Sequence, residues 1–542
     1  MEILTYALTA LLAAAAVVAS LRFLHMLQLE SYQGFMYLKW LRKHFSDDAF
    51  PILLIGIMGF TFRAASLLFS SERIAEIAFY ASDVLCIIML TGLCVKWFIT
   101  PHRKPLKYTA RMIRLICAVS ILVVLFSTAF FTDGIFPASA GDPGVFVAAS
   151  AIRFIPITLM PFVVLLAYMI TYPIEWAVKK WYFNDARKKL AARSDIIKIG
   201  ITGSYGKTSS KFMLSKMLAE KYNVLYTPSS FNTPMGITKI IRGELKPEHE
   251  VFVAEMGARY VGDIKELCNL VKPTVGIITA VGKQHLETFG SLQAIIDTKA
   301  ELLQALPKDG KAFVNGDSEL CVGMLEKCGA DYQKLFGIEG KNLFMHAENI
   351  SVGEWGSSFE LVTDSGERVS CTTELLGRHN ILNITGAAAA AYSLGVPLQN
   401  IAHAVSELKP IEHRLQLIKG AVTVIDDAFN SNPAGACAAL EVISAFPGRR
   451  IIVTPGMVEL GEEEDMLNEQ FGRQMASCVD IAILVGKSHV DPIEHGLLSN
   501  GFDKSCVVRV ATLDEATEKL PLFTENGCVV LFENDLSDNY NE

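Results

Sequence analysis

Five long runs of apolar residues, all before about residue 178, decide most of what this chain can become. A helix that crosses a bilayer needs roughly 20 consecutive apolar residues, because inside lipid every backbone polar group must be satisfied within the segment. The runs lie near 3–21, 50–70, 76–98, 113–132 and 151–172. The first has no basic leader and no clear cleavage site, so it reads as an anchor and not as a removed signal peptide. Basic residues then set the direction. Lys39, Arg42 and Lys43 follow the first run; Arg103, Lys104, Lys107 and Arg111 follow the third; Lys179, Lys180, Arg187, Lys188, Lys189 and Arg193 follow the fifth. The other loops offer only Arg73 and none. The excess of Lys and Arg on one side predicts an N-terminus outside a bacterial cell membrane and everything after the fifth span in the cytoplasm.

Arg63 and Asp83 fall inside predicted spans. An ionisable group there is costly, so the pair either mark a function or neutralise each other. The stretch 30–45, "ESYQGFMYLKWLRKHF", is aromatic and basic, and reads either as a helix lying along the inner membrane surface or as an ordinary connector. Eleven cysteines are scattered without a CxxC pair, which fits free thiols in a reducing compartment. A formal charge of −8 excludes a broad basic surface for nucleic acid.

After a polar, charged linker at 182–195 the pattern changes. Short apolar strands such as "IIKIGITG", "EVFVAEMG", "VGIITAV" and "AFVNG" alternate with helical segments such as "SSKFMLSKMLAEKY". That alternation predicts an α/β fold on a largely parallel sheet. A second α/β set, with "VTVIDD", "RRIIVTPG", "IAILVG" and "CVVLFEN", begins after Pro410. Three units follow: a transmembrane region at 1–185, a central nucleotide domain at 190–409, and a Rossmann-like C-terminal domain at 410–542.

The stretch "GITGSYGKTSS", Gly200 to Ser210, carries the chemistry. Glycines let backbone N–H groups converge on phosphate oxygens where a helix starts. Lys207 then reaches the outer phosphates and the Thr208 hydroxyl helps to hold Mg²⁺. The glycines stand at 200, 203 and 206, and Ile201 occupies a position where the strict phosphate-loop spacing has glycine. A plain glycine-rich strand–helix turn is the bland alternative.

The spelling T-G-S-x-G-K-T resembles the Mur ligases, the ATP-dependent amino-acid ligases of peptidoglycan assembly, and further motifs resemble them in order. The resemblance implies that Gly203, Ser204, Gly206, Lys207, Thr208 and Ser209 bind ATP. It makes Glu255 in "FVAEMGA" and His285 in "HLETFGS" metal ligands, and Lys299 in "DTKAEL" a carbamylated lysine. Asn315 and Asp317 in "VNGDSE" would contact adenine. His379, Asn380 and Asn383 in "GRHNILN" would lie on the nucleotide side, as would Asp427 and Asn430 in "DDAFNSNP". Arg414 in "HRLQ" would reach the phosphates. Thr208 and Glu255 would hold one Mg²⁺, and His285 with the carbamate of Lys299 a second, since a carbamate is the oxygen ligand a hard cation prefers. "DDAFNSNP" and "GMVELGEEE" look closest to the MurF type, which adds D-alanyl-D-alanine.

The implied reaction runs through an acyl phosphate, with Lys207, Lys299, His285 and Arg414 as its catalytic residues. The resemblance covers roughly 196–535 and stops short in three places. Soluble Mur ligases have an N-terminal domain for the UDP-sugar, whereas here the membrane region stands in that position. Ala280 replaces a usual Asn. A usual basic Lys-Gly-Ser stretch is replaced by the acidic "VVLFENDLSDNY". The leading expectation is therefore a membrane-anchored ligase acting on a lipid-linked or envelope-precursor acceptor with an amino acid or dipeptide. The alternatives are a tethered MurF-type ligase for a soluble UDP-muramoyl peptide, a non-catalytic membrane scaffold and an ATP-driven transporter.

Overall fold

The computed structural model describes residues 2–100, 104–128, 143–229, 231–428, 432–458, 460–486 and 489–534. Arg103, Asn430, most of the loop between the fourth and fifth apolar runs, and part of the acidic C-terminal stretch lie outside these. The chain divides into two compact units, Met1–Lys180 and Trp181–Glu542.

The first unit is helical: α1 (Glu2–Leu29), α2 (Gly34–Lys43), α3 (Phe50–Ala65), α4 (Glu72–Ile99), α5 (Ala110–Thr128), α6 (Pro143–Thr158) and the start of α7 (Met160–Ala191). Among the described residues five helices are long and apolar enough to cross a membrane. The fifth apolar run, expected as one span over 151–172, is divided between α6 and α7 at Leu159. Pro161 explains the break. It has no N–H to give to the carbonyl one turn back, so it interrupts one helix and suits the first turn of the next. The 30–45 stretch is α2, which packs on the bundle: Tyr37 is fully buried and its hydroxyl donates to the Pro161 carbonyl at 3.0 Å. The linker expected at 182–195 is mostly the continuation of α7 to Ala191, with Ala186 and Leu190 buried in the second unit.

Arg63 and Asp83 do pair, and a third residue joins them. Arg63 Nη1 donates to Asp83 Oδ1 at 3.0 Å, and Arg153 Nη2 of α6 donates to Asp83 Oδ2 at 2.7 Å. All three side chains are buried, and the Arg63 guanidinium also lies 3.6 Å from the centre of the Phe79 ring. The carboxylate thus ties α3, α4 and α6 together. Glycines allow the close approach: a Cβ on Gly56 would lie 2.2 Å from Thr158 Oγ1, and one on Gly59 2.5 Å from Phe154.

The second unit holds two sheets. The nine-stranded sheet has the order β2-β3-β1-β4-β5-β6-β7-β8-β9. Its strands are β1 (Ile197–Thr202), β2 (Val224–Tyr226), β3 (Val251–Glu255), β4 (Val275–Ile278), β5 (Lys311–Asn315), β6 (Tyr332–Gly337), β7 (Met345–Gly353), β8 (Gly356–Thr363) and β9 (Arg368–Thr373). Strands up to β7 pair in parallel, and β7, β8 and β9 form an antiparallel extension. Apolar residues fill both faces, as a parallel sheet covered by helices requires. The six-stranded sheet has the order β10-β11-β15-β12-β13-β14. Its strands are β10 (Gln416–Ile418), β11 (Thr423–Asp427), β12 (Arg450–Thr454), β13 (Ile481–Val485), β14 (Val507–Val510) and β15 (Val529–Glu533). Only the β10–β11 pairing in it is antiparallel.

Replacing Asp83 with Asn would leave two buried guanidinium groups without their shared counter-charge. Breaking a buried ion pair from one side costs on the order of 3–5 kcal/mol. Asp83→Asn is therefore expected to lower the melting temperature of the detergent-purified chain substantially. An unchanged melting temperature would show that the cluster does not hold the bundle.

Candidate active site

The site forms where the chain order reverses around β1. From β1 the chain builds β2 and β3 on one side and then β4 and β5 on the other. In an open α/β sheet the crevice at the carboxyl ends of such strands is where ligands bind. The loop after β1 leads into helix α8 (Lys207–Ala219). Gly206 caps that helix with φ 76°, in the left-handed region that glycine enters without strain. A Cβ on Gly206 would also lie 2.3 Å from Asn383 Oδ1, and one on Gly203 2.1 Å from Thr279 Oγ1. The cradle is thus lined by backbone on one side and closed against side chains on the other.

The segment after β4 braces the loop. The Ser204 amide donates to the Ala280 carbonyl at 2.6 Å, and its hydroxyl donates to the Gly282 carbonyl at 2.9 Å. The Tyr205 hydroxyl donates to the Lys283 carbonyl at 3.0 Å. Ala280, which replaces the expected Asn, serves the loop through its backbone.

Two lysines meet inside it. Lys207 Nζ donates to the carbonyls of Gly203 at 2.8 Å and Ser204 at 3.0 Å. Lys299 lies on the helix Leu292–Gln304, is buried, and donates to the same Gly203 carbonyl at 2.9 Å. Burial brings the Lys207 ammonium down to about 8, against the pull of Glu255 and with the push of Arg414. Burial and the neighbouring Lys207 charge hold Lys299 well below the ordinary lysine range.

Glu255 ends β3, next to Ile201 of β1, and is 1% exposed. Its Oε2 accepts from Lys211 Nζ at 3.1 Å and its Oε1 from Asn232 Nδ2 at 3.0 Å. Burial alone would raise the Glu255 pKa, but the charges of Lys211 and Lys207 and the Asn232 hydrogen bond outweigh it and keep the carboxylate ionised. Thr208 is buried in the first turn of α8, and Ser209 beside it is half-buried. Ser210 donates to Asn383 at 3.4 Å.

Other expected residues fall around this centre with varied employment. His285 caps the short helix Leu286–Phe289 with φ 55°. Both Asp317 oxygens are engaged by the backbone amides of Ile338, Glu339 and Gly340, at 2.7–3.1 Å, so its carboxylate holds that turn. Asn315 accepts from the Asp317 amide at 3.0 Å. Asn380 donates to the Leu376 carbonyl at 2.8 Å. His379 is brought down to about 4 by burial, so its imidazole is neutral.

The C-terminal sheet contributes its own carboxyl edge. Arg414 lies within the electrostatic reach of Glu255 and Asp427, whose charges oppose the lowering of its pKa by burial. Asp427 accepts from the Leu415 amide at 3.1 Å. Burial raises Asp427 to about 6, and it hydrogen-bonds Glu533, its register partner on β15. An ion pair at 2.5 Å between Lys283 and Glu463 joins the β4 loop to the "GMVELGEEE" stretch. Sequence reading missed Lys211 and Asn232. Lys211 had a signal, since it stands one helical turn after Lys207 and so shares its face.

The cradle, its lysines and the helix start fit a polyphosphate. Among the described residues no three His, Cys, Asp or Glu side chains converge into a metal cage. Mg²⁺ does not need one, because it is usually held by one or two carboxylates together with substrate phosphates and waters. Thr208 and Glu255 suit that pattern.

A phosphate loop at the switch point of one α/β sheet, with an arginine from the start of a second α/β unit in electrostatic reach of its lysine, is the frame of a nucleotide-dependent enzyme, and the likeness to known proteins makes it an ATP-dependent ligase that forms carbon–nitrogen bonds. The chain belongs to the Mur ligase family. Residues 201–391 match the Mur ligase middle domain and residues 413–532 the Mur ligase glutamate ligase domain. The chain is 33% identical over 314 residues to the UDP-N-acetylmuramoyl-tripeptide–D-alanyl-D-alanine ligase of Escherichia coli K12, covering 57% of this chain and 69% of that one. It is 30% identical over 343 residues to the Bacillus subtilis protein of the same name, covering 62% and 72%. Its fold matches the crystal structure of MurF from Acinetobacter baumannii with a TM-score of 0.61 at 25% identity, over 66% of this chain and 77% of that one. It also matches the fold of Thermotoga maritima MurF in complex with ADP, at 24% identity and a TM-score of 0.60, over 66% and 80%.

Gly206→Ala would force a side chain into the left-handed region, at roughly 1–2 kcal/mol, and press it on Asn383. It is expected to weaken ATP binding at least about tenfold, as measured by calorimetry, while circular dichroism stays the same. Wild-type affinity would show that the loop does not approach phosphate at this point.

Proposed function

We propose that this chain is a membrane-tethered ligase of the MurF type, which joins the amine of D-alanyl-D-alanine to the terminal carboxylate of a muramoyl peptide. The observation that carries this reading is the pair of lysines, Lys207 and Lys299, on the Gly203 carbonyl, with Glu255 at the end of β3 and Arg414, just before β10, within electrostatic reach of Lys207. The likeness to UDP-N-acetylmuramoyl-tripeptide–D-alanyl-D-alanine ligases over more than two thirds of their length supports the choice of substrates.

The chemistry follows from what an amide bond needs in water. A carboxylate must first be activated, so ATP gives its γ-phosphoryl group to the acceptor carboxylate and leaves ADP. Lys207, the loop amides and Arg414 hold and neutralise the phosphates through this step. The donor amine then attacks the acyl carbon, and the tetrahedral intermediate collapses with loss of phosphate. Mg²⁺, held by Thr208 and Glu255 with His285 and a carbamylated Lys299 at a second position, would supply further charge neutralisation on the phosphates. Lys299 suits carbamylation, since carbon dioxide adds only to a neutral amine and burial with the nearby Lys207 charge lowers this amine well below the ordinary lysine range. Arg414 completes the site only when the two sheets face each other, which excludes the water that would hydrolyse an acyl phosphate.

A second reading places the same muramoyl peptide on a lipid carrier. Two observations favour it: the five apolar helices on the same chain, and the acidic stretch that closes the C-terminal sheet, with Glu533 buried beside Asp427. Phosphate release by the full-length chain in detergent, measured with D-alanyl-D-alanine and either UDP-muramoyl tripeptide or its lipid-linked form, separates the two. The primary reading expects turnover on the UDP form. Turnover on the lipid form alone would replace it with the second, and turnover on neither would overturn both.

Lys299→Ala is expected to lose nearly all ligation while ATP still binds, and added acetate or formate should restore part of the rate by filling the gap with a carboxylate. Wild-type ligation in this variant would remove Lys299 from the mechanism.

A further inference from the structure

Lys211 is the one buried lysine at the site to which neither the sequence nor the reaction above gives a task. It stands on α8 one turn beyond Lys207, so both ammonium groups leave the same face of the helix. Its side chain is wholly buried. Nζ donates to Glu255 Oε2 at 3.1 Å and to the Ser229 carbonyl. Ser229 presents that carbonyl from the left-handed region, with φ 45°. A charge this deep is tolerable only when paired and hydrogen-bonded, and both conditions are met.

The arrangement sets two lysines in competition for one carboxylate. Glu255 attracts Lys207 as well as Lys211. Lys211 has the contact, with Asn232 on the other oxygen. Lys207 is left with two backbone carbonyls of its own loop, at 2.8 and 3.0 Å. Those are weak partners that a phosphate oxygen displaces readily, whereas a buried carboxylate would not be displaced.

We infer that Lys211 is a positioning residue: by occupying the Glu255 carboxylate it keeps Lys207 in the loop, available to phosphate, before any metal ion arrives. Once Mg²⁺ is bound, the ion itself neutralises Glu255, so the need for Lys211 is greatest in the metal-free state. The inference rests on the phosphate-loop reading of Lys207.

The test is calorimetric ATP binding to the full-length chain in detergent, first with a chelator and then with Mg²⁺. Binding by the wild type examines the phosphate-loop reading itself, and its absence would remove that reading and this inference together. Given wild-type binding, Lys211→Met is expected to lose at least about tenfold in metal-free affinity, with most of the loss recovered on adding Mg²⁺. The double variant Lys211→Met/Glu255→Gln should return to within about threefold of the wild type without metal, because no carboxylate remains to capture Lys207. Lys211→Arg, which keeps the charge, should also stay within about threefold. Unchanged metal-free affinity in Lys211→Met overturns the inference. So does an equal loss with and without Mg²⁺, or a double variant no better than the single one. If Lys211→Met does not fold, the double and Lys211→Arg variants decide: a tenfold metal-free loss in either, with the protein folded, overturns it.

Discussion

The carbonyl oxygen of Gly203 is the point on which the catalytic half depends. It accepts hydrogen bonds from Lys207 and from Lys299, which reach it from helices separated by about ninety residues of chain. Two ammonium groups cannot both stay charged at so short a range without water, because burial and mutual repulsion act in the same direction. The protein resolves the conflict unequally. Lys207 has Glu255 within electrostatic reach, whereas for Lys299 the nearest effective charge is Lys207 itself. One amine is thereby kept as a cation for phosphate. The other is held well below the ordinary lysine range, which favours the neutral amine. A backbone atom can arrange this only because Gly203 has no side chain and Thr279 closes the space where one would be.

The helical unit solves a related problem with the opposite stoichiometry. There one carboxylate, Asp83, serves two guanidinium groups from two other helices. Arginine does not shed its proton, so relief by neutralisation is closed, and only hydrogen bonding and contact with the Phe79 ring remain. Such a cluster tolerates little displacement. The glycine contacts at Gly56 and Gly59 serve the same end by letting α3 reach the helices it must touch.

How far these features could be read in the sequence depends on the range of the interaction that creates them. The first four apolar runs, the phosphate loop and strands β1, β3, β4 and β5 are local patterns, and their described residues fold as the sequence predicts. The Arg63–Asp83 pair was legible because two charges in apolar runs need each other. Arg153 was not, since nothing local says which of the helices will face Asp83. The break at Leu159 was missed because hydropathy does not register the lost N–H of Pro161. The antiparallel β7–β9 extension escaped because its strands alternate polar and apolar residues at an exposed edge, without the continuous apolar run of the parallel core. At the site, motif residues came forward by type and order, while their tasks did not. Asp317 illustrates this, with its carboxylate spent on three backbone amides.

Charge balance explains why the ATP half can keep its character while the acceptor half differs. Lys207, Lys211 and Arg414 all lie in the field of Glu255, and among the described residues Arg414 alone of the three also feels Asp427, so positive charge gathers at the phosphate loop. That charge suits a triphosphate accompanied by a divalent cation, and it does not depend on what the acceptor is attached to. The carboxyl edge of the C-terminal sheet behaves differently. Asp427 and Glu533 are register partners on adjacent strands, and they hydrogen-bond each other with Asp427 raised to about 6. Burial sets Asp427 there, against the hydrogen bonds from the Leu415 amide and Glu533 and the pull of Arg414.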